Sequence, residues 1–190
     1  MTTVVRQGDI IYTDSCYGAP VGTERTRVFG NPKFFINSNK TFLTAICGNI
    51  PSGNTCQFLT GMFSERLEHY LGNYMSYSPS RLTDIVENFY RQYLDVNSSL
   101  SEFFTIIFFT KDITFQINVK ANKDRITVRS LTYGQHKDLA FGSGAAWWLA
   151  QKELQELSVL EKFNHIYALD INSGGTVNAF DLNQLKEIKV

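Results

Sequence analysis

The chain has 190 residues, 43% of them hydrophobic, 14% aromatic and only 19% charged, a length that buries roughly 70% of its unfolded surface and so needs no disulfide or metal to hold a core. The 18 Lys and Arg are matched by 18 Asp and Glu. This zero net charge speaks against a nucleic-acid partner, which would want a basic face, and leaves little repulsion between copies. Cys16, Cys47 and Cys56 are an odd number with no CxxC pair, and read as reduced thiols. Arg6, Gln7 and Asp9 interrupt any apolar stretch of signal-peptide length, and the longest apolar runs fall short of a bilayer. One cytoplasmic domain over 1–190 is expected.

From Thr3 to about Tyr12 the residues alternate as in a strand, with Gly8-Asp9 as a tight turn inside it. Lys33–Ile36 and Thr41–Cys47 are two further strands around an Asn37-Ser38-Asn39 turn. After Gly48 the period changes. Phe58, Leu59, Met62, Phe63, Leu67 and Tyr70 predict a helix over Cys56–Tyr70, and Ser80 caps a second over about Leu82–Leu94. Strands return at Phe103–Phe109, Ile113–Val119, Ile126–Leu131 and Leu139–Phe141. Gly142-Ser143-Gly144 then opens a helix over Ala145–Leu157, with Ser143 as its cap. A last helix over Val159–Leu169 is ended by Gly174-Gly175, and Thr176–Ala179 with Leu185–Ile188 close the sheet. Strands, two helices, strands, two helices and strands, with Phe-rich strands apolar on both faces, fit an α+β fold: a four-layer αββα sandwich.

Four stretches carry candidate chemistry, each with a plainer reading. Thr2 behind Met1 is an ordinary start. Asp14, ending a strand in Tyr12-Thr13-Asp14-Ser15, is an ordinary turn acid. Gly142-Ser143-Gly144 is an ordinary cap, and Asp170-Ile171-Asn172-Ser173-Gly174-Gly175 an ordinary helix terminus. The last stretch, continued to Asp181, also resembles an EF-hand-type calcium loop of the dockerin kind, with Asp170, Asn172, Gly175 and Asp181 at positions one, three, six and twelve. Position five is Gly174, which supplies no side-chain oxygen, and the chain has one such loop where dockerins have two. His69, His136 and His165 lie away from these motifs.

Taken in order, the stretches resemble the proteasome β-subunit and HslV group of N-terminal-nucleophile hydrolases. The resemblance rests on the start Met1-Thr2-Thr3-Val4-Val5, on Asp14 after the first hairpin, and on Asn31-Pro32-Lys33-Phe34. It continues through Ala45-Ile46-Cys47-Gly48, Ala140-Phe141-Gly142-Ser143-Gly144, and Asp170-x-x-Ser173-Gly174. It implies that Met1 is removed and that Thr2 becomes both nucleophile and, through its freed α-amine, base. Lys33 would hold positive charge beside Thr2, Asp14 would fix Lys33, and the Gly48 N–H would meet the oxyanion. Ser143, Asp170 and Ser173 would surround the amine. A substrate would lie as an added strand between Tyr17–Val21 and Ala45–Asn49, which names Gly18, Ala45, Cys47 and Asn49 as binding residues; Pro20 removes one donor there. No cofactor is implied. Family members can hold a cation on backbone carbonyls of the loop that here follows Asp170.

The implied activity is peptide-bond hydrolysis in a homo-oligomeric ring or stacked rings, on unfolded protein or peptides supplied by an ATP-driven (AAA+) unfoldase. Two alternatives stay open at this level: an inert ring-forming scaffold or binding protein that keeps Met1, and an N-terminal-nucleophile amidase acting on a small amide.

Overall fold

The computed structural model describes residues 3–21, 24–29, 34–36, 43–48, 84, 88, 104–109, 113–119, 126–132, 138–150 and 156–190. The first hairpin is β1 (Thr3–Gln7) and β2 (Ile10–Thr13), registered Gln7 to Ile10 and Val4 to Thr13. Gly8 sits at φ 63° at the first central turn position, which suits the two-residue turn that matches strand twist. Next come β3 (Cys16–Val21) and β4 (Glu24–Phe29), then β5 (Phe34–Ile36), β6 (Leu43–Gly48), β7 (Phe104–Phe109), β8 (Ile113–Val119), β9 (Ile126–Thr132) and β10 (Leu139–Gly142). Helices α1 (Ala145–Ala150) and α2 (Val159–Leu169) follow, and β11 (Asn178–Asp181) with β12 (Lys186–Ile188) ends the chain.

These strands form two antiparallel five-stranded sheets. The first runs β10-β1-β2-β11-β12, the second β5-β6-β7-β8-β9, and β3-β4 is a separate ribbon. Strand alternation explains why the first sheet needed apolar residues at successive positions. Val4, Ile11, Phe141 and Phe180 join Phe34, Leu43, Ala45, Cys47, Ile107 and Phe109 between the sheets. Their neighbours Val5, Tyr12 and Ala179 turn the other way and pack on Trp148, Phe163 and Ile166 of the two helices. Aromatic pairs join the sheets, Phe34 to Phe180 at 5.5 Å and Phe109 to Phe141 at 6.1 Å between centroids. On the second sheet Ile46, Ile106 and Phe108 alternate with the inter-sheet residues and are buried too, so both faces of that sheet are covered.

The architecture is the expected α+β sandwich. The helix expected at Cys56–Tyr70 lies outside the described residues, as does that at Leu82–Leu94 apart from Asp84 and Asn88, which are helical. Three local expectations are corrected. The ribbon β3-β4 was not foreseen. Helix α2 spans the expected Val159–Leu169, but its terminator is not Gly174-Gly175: it closes at Asp170, whose N–H donates to the Ile166 carbonyl. The cap of α1 is Gly144, whose carbonyl accepts from the Trp148 N–H at 3.0 Å; the Ser143 hydroxyl is committed elsewhere.

Candidate active site around the first strand

Four chain segments converge where β1 begins. Thr3, fully buried, donates its N–H to Asp14 Oδ1 at 3.2 Å, while the Asp14 N–H donates to the Thr3 carbonyl at 3.2 Å. The second bond continues the β1–β2 ladder past its last strand pair, and in the first the Asp14 side chain takes the place of a backbone acceptor. The second carboxylate oxygen of Asp14 accepts from the Gly174 N–H at 3.1 Å, and the Ser15 N–H donates to the Gly174 carbonyl at 3.3 Å. In this way the loop after α2 is fastened to the segment after β2.

The Thr3 hydroxyl meets Ser173 Oγ at 2.6 Å. Ser173 Oγ donates to Asp170 Oδ2 at 2.7 Å, and Ser143 Oγ donates to the same oxygen at 2.5 Å. Asp170 Oδ1 accepts from the Asn172 backbone and side-chain N–H groups at 3.0 and 3.1 Å. Burial alone would raise the Asp170 pKa. The hydrogen bonds from Ser143, Ser173 and Asn172 together outweigh burial and hold its carboxyl below the ordinary carboxylate range.

Gly144 is required by this packing. A Cβ there would lie 2.0 Å from Thr3 Oγ1 and 2.9 Å from Ile166 Cγ2, so no side chain fits while Thr3 keeps its place. The preceding Gly142 takes φ 87° at the end of β10, a left-handed conformation that glycine adopts without strain. Nearby on α2, the Tyr167 hydroxyl is buried without a hydrogen-bond partner. Burial first, and then the charges of Asp14 and Cys16, push its pKa well up, so the phenol stays neutral.

Against this geometry, Asp14, Ser143, Asp170 and Ser173 are brought together. Thr2, Lys33 and Asn49 lie outside the described residues. Gly48 ends β6 opposite Phe104, and β6 packs against β1 and β10. Ala45 and Cys47 point into the inter-sheet core, 0% and 4% exposed. Ala45 is paired on both sides, with Phe34 and Ile107; beyond it the β5 edge of β6 has no strand partner among the described residues. Gly18 lies in β3 opposite Arg27, so β4 occupies one edge of that strand.

The calcium-like pattern does not gather its carboxylates. Asp170 serves Ser143, Ser173 and Asn172, whereas Asp181 Oδ1 accepts from the Asn183 and Gln184 N–H groups in the β11–β12 turn. Asp181 sits opposite Ile10 and Asn178 opposite Thr13, so β11 puts about 10 Å between the turn and the end nearer Asp14. Among the described residues no group of three or more His, Cys, Asp or Glu could hold a metal ion, and no helix is long and apolar enough to cross a membrane.

The sequence matches no family model, and no curated protein is similar to it. Solved structures are similar in shape. A eukaryotic HslV from Trypanosoma brucei is 14% identical with a TM-score of 0.54, over 94% of this chain and 96% of its own. Anbu from Hyphomicrobium sp. strain MC1 is 11% identical with a TM-score of 0.56, over 99% and 85%. Anbu, described as an ancestral beta-subunit, from Yersinia bercovieri is 12% identical with a TM-score of 0.53, over 95% and 80%. This chain has the HslV and Anbu fold. At such identities the likeness establishes the fold alone.

In this HslV-like frame, sequence reasoning missed three contributors: Thr3, Gly144 and the Gly174 N–H. Thr3 was overshadowed by Thr2. Gly144 had one available signal, the second glycine of Gly142-Ser143-Gly144 directly before a helix, and that signal was credited to Ser143 as a cap.

Proposed function

We propose that the chain is a threonine peptidase subunit, one domain over 1–190, with Thr2 as N-terminal nucleophile once Met1 is removed. The observation that supports this most is the Ser143–Asp170–Ser173–Thr3 network, buried at Thr3, Asp170 and Ser173 and half-buried at Ser143, assembled on the residue to which Thr2 is covalently joined. A hydroxyl chain of this length is more than a strand end needs for stability, and it lies in a polar cluster with the Asp14 carboxylate on the Thr3 N–H.

In this reading the Thr2 hydroxyl attacks a peptide carbonyl carbon and its proton passes to the Thr2 α-amine. The oxygen of the tetrahedral intermediate accepts from the Gly48 N–H; loss of one such donor typically costs about 10²–10³ in rate. The C–N bond then breaks, the departing amine takes the proton, and water hydrolyses the ester on Thr2. Lys33 holds positive charge by the nucleophile and Asp14 positions it, while Ser143, Asp170 and Ser173 hold the amine. The substrate pairs as a strand with the backbone of Gly18 on one side and of Cys47 to Asn49 on the other. Because Ala45 and Cys47 turn inward, their contribution is backbone. The working form is a homo-oligomeric ring or stacked rings in the cytoplasm, fed with unfolded chains by an ATP-driven unfoldase.

Intact mass with and without a peptide epoxyketone tests the assignment. The expected result is a mass lacking one methionine, a covalent adduct on Thr2, and loss of all peptidase activity in Thr2→Ala with assembly unchanged. A full-length mass with no adduct would put the inert ring-forming scaffold in its place. Hydrolysis of small acyl amides but not of unfolded protein or peptides would point to the amidase.

A further inference from the structure

The proton order around Ser173 follows from what each atom is able to do. Asp170 Oδ2 belongs to a carboxylate and only accepts, so the hydroxyl protons of Ser143 and Ser173 are both directed at it. A serine hydroxyl has one proton, and Ser173 has committed its own to Asp170. Across the 2.6 Å contact Thr3 Oγ1 is therefore the donor and Ser173 Oγ the acceptor. Thr3 has little freedom to do otherwise: it is fully buried, its N–H is held by Asp14, and its hydroxyl lies where a Cβ on residue 144 would be.

We infer that Thr3 is a positioning residue whose hydroxyl completes a one-way chain, Thr3 to Ser173 to Asp170: the Asp170 carboxylate leaves Ser143 and Ser173 as acceptors only, and the Thr3 donor holds Ser173 Oγ in that arrangement. The direction of the chain stands on the geometry; its catalytic meaning rests on the reading of Thr2 as nucleophile. An amine that acts as base must keep its lone pair free for the incoming proton. A serine hydroxyl donated into that lone pair would block it. With both serine protons held on Asp170, the serines accept the amine's own N–H groups and its lone pair stays open. The Thr3 bond also polarises Ser173, which makes the Ser173 O–H a stronger donor to the carboxylate.

Two readouts on Thr3→Val, which keeps shape but deletes the donor, test this, with Thr3→Ser as the conservative variant. In an NMR titration, with the Asp170 carboxyl identified by its loss in Asp170→Asn, Thr3→Val should titrate at higher pH than the native chain and Thr3→Ser should return toward it. On a fluorogenic peptide, Thr3→Val should lower kcat roughly tenfold with KM little changed, the scale of one lost hydrogen bond, and Thr3→Ser should restore it. An Asp170 titration unmoved in Thr3→Val overturns the chain, and a moved titration with unchanged kcat overturns its positioning role. The titration needs no activity, so a native chain without activity or epoxyketone adduct counts against Thr2 as nucleophile and leaves the proton order decided. Where Thr3→Val does not fold, Thr3→Ala, which relieves the packing on Gly144, gives the same two readouts.

Discussion

At its start, β1 buries Thr3 against Asp14 and Ser173; at its other end it buries Arg6, fully enclosed and directed between the sheets on the side of Val4. Arg6 Nε donates to the Gly8 carbonyl at 3.1 Å, closing the tight turn beside it, and Arg6 Nη1 donates to Thr114 Oγ1 of β8 at 3.0 Å. One long side chain thus ties the turn to the second sheet. The Thr3 end is built the opposite way, from short side chains: Asp14 after β2, Ser143 before α1, and Asp170 and Ser173 after α2. A cation that anchors two sheets serves stability directly. Several hydroxyls and carboxylates drawn from distant segments bring little packing energy and much orientation, which is the economy of a site.

The contrast breaks most sharply at Arg6. Arg6→Ala removes a large, fully buried side chain and takes the Nη1 donor from the buried Thr114 hydroxyl, at an expected cost of about 3 kcal/mol or more. Chemical denaturation should show that loss, while the proposed peptidase activity, measured per folded molecule, stays near that of the native chain. Gly144→Ala should do the reverse. Its Cβ would sit 2.0 Å from Thr3 Oγ1, so Thr3 has to leave Ser173. Overpacking of this kind costs about 2 kcal/mol, yet activity should fall further than stability, because the displaced hydroxyl holds Ser173. Comparable losses of activity per folded molecule in the two variants would erase the distinction between the ends.

Where hydrophobic period and capping agree, the fold was legible. Val4 and Val5, or Ile11 and Tyr12, point to opposite faces as alternation requires, and α2 spans Val159–Leu169 as expected, opened by a Ser158–Glu161 capping box that the sequence reading did not use. The ribbon was not legible: Gly18 and Pro20 in β3 and the charged Glu24, Arg25 and Arg27 in β4 suppress the strand pattern. Gly174-Gly175 looked like a helix stop because glycine marks many helix ends; here Gly174 supplies an N–H to Asp14 instead. That Asp14, Ser143, Asp170 and Ser173 lie together was legible through the order of their motifs. Thr3 was not, since its hydroxyl partner stands 170 positions away and nothing local in the sequence marks such a bond.

A smaller effect separates the helix that carries the site from the site itself. At the start of α2 the Ser158 hydroxyl donates to Glu161 Oε2 at 2.7 Å, the Ser158 backbone N–H donates to the same oxygen at 2.8 Å, and the Glu161 N–H reaches Ser158 Oγ at 3.4 Å. These bonds, the side-chain one first, lower the Glu161 pKa against a minor opposing effect of burial. A depressed folded-state pKa gives stability that is present above the unfolded value and is lost as pH falls through the folded one. Ser158→Ala removes this cap and should lower stability at neutral pH, by less once acid has protonated Glu161 in both chains. The capping box lies one whole helix away from Asp170, so kcat per folded molecule should not change at any pH where the chain stays folded. Denaturation midpoints and peptidase rates measured across the same acid range would show it. Should kcat fall along with stability, the start of α2 helps to hold Asp170 in place, and the boundary between scaffold and site would have to be drawn through the helix and not at its end.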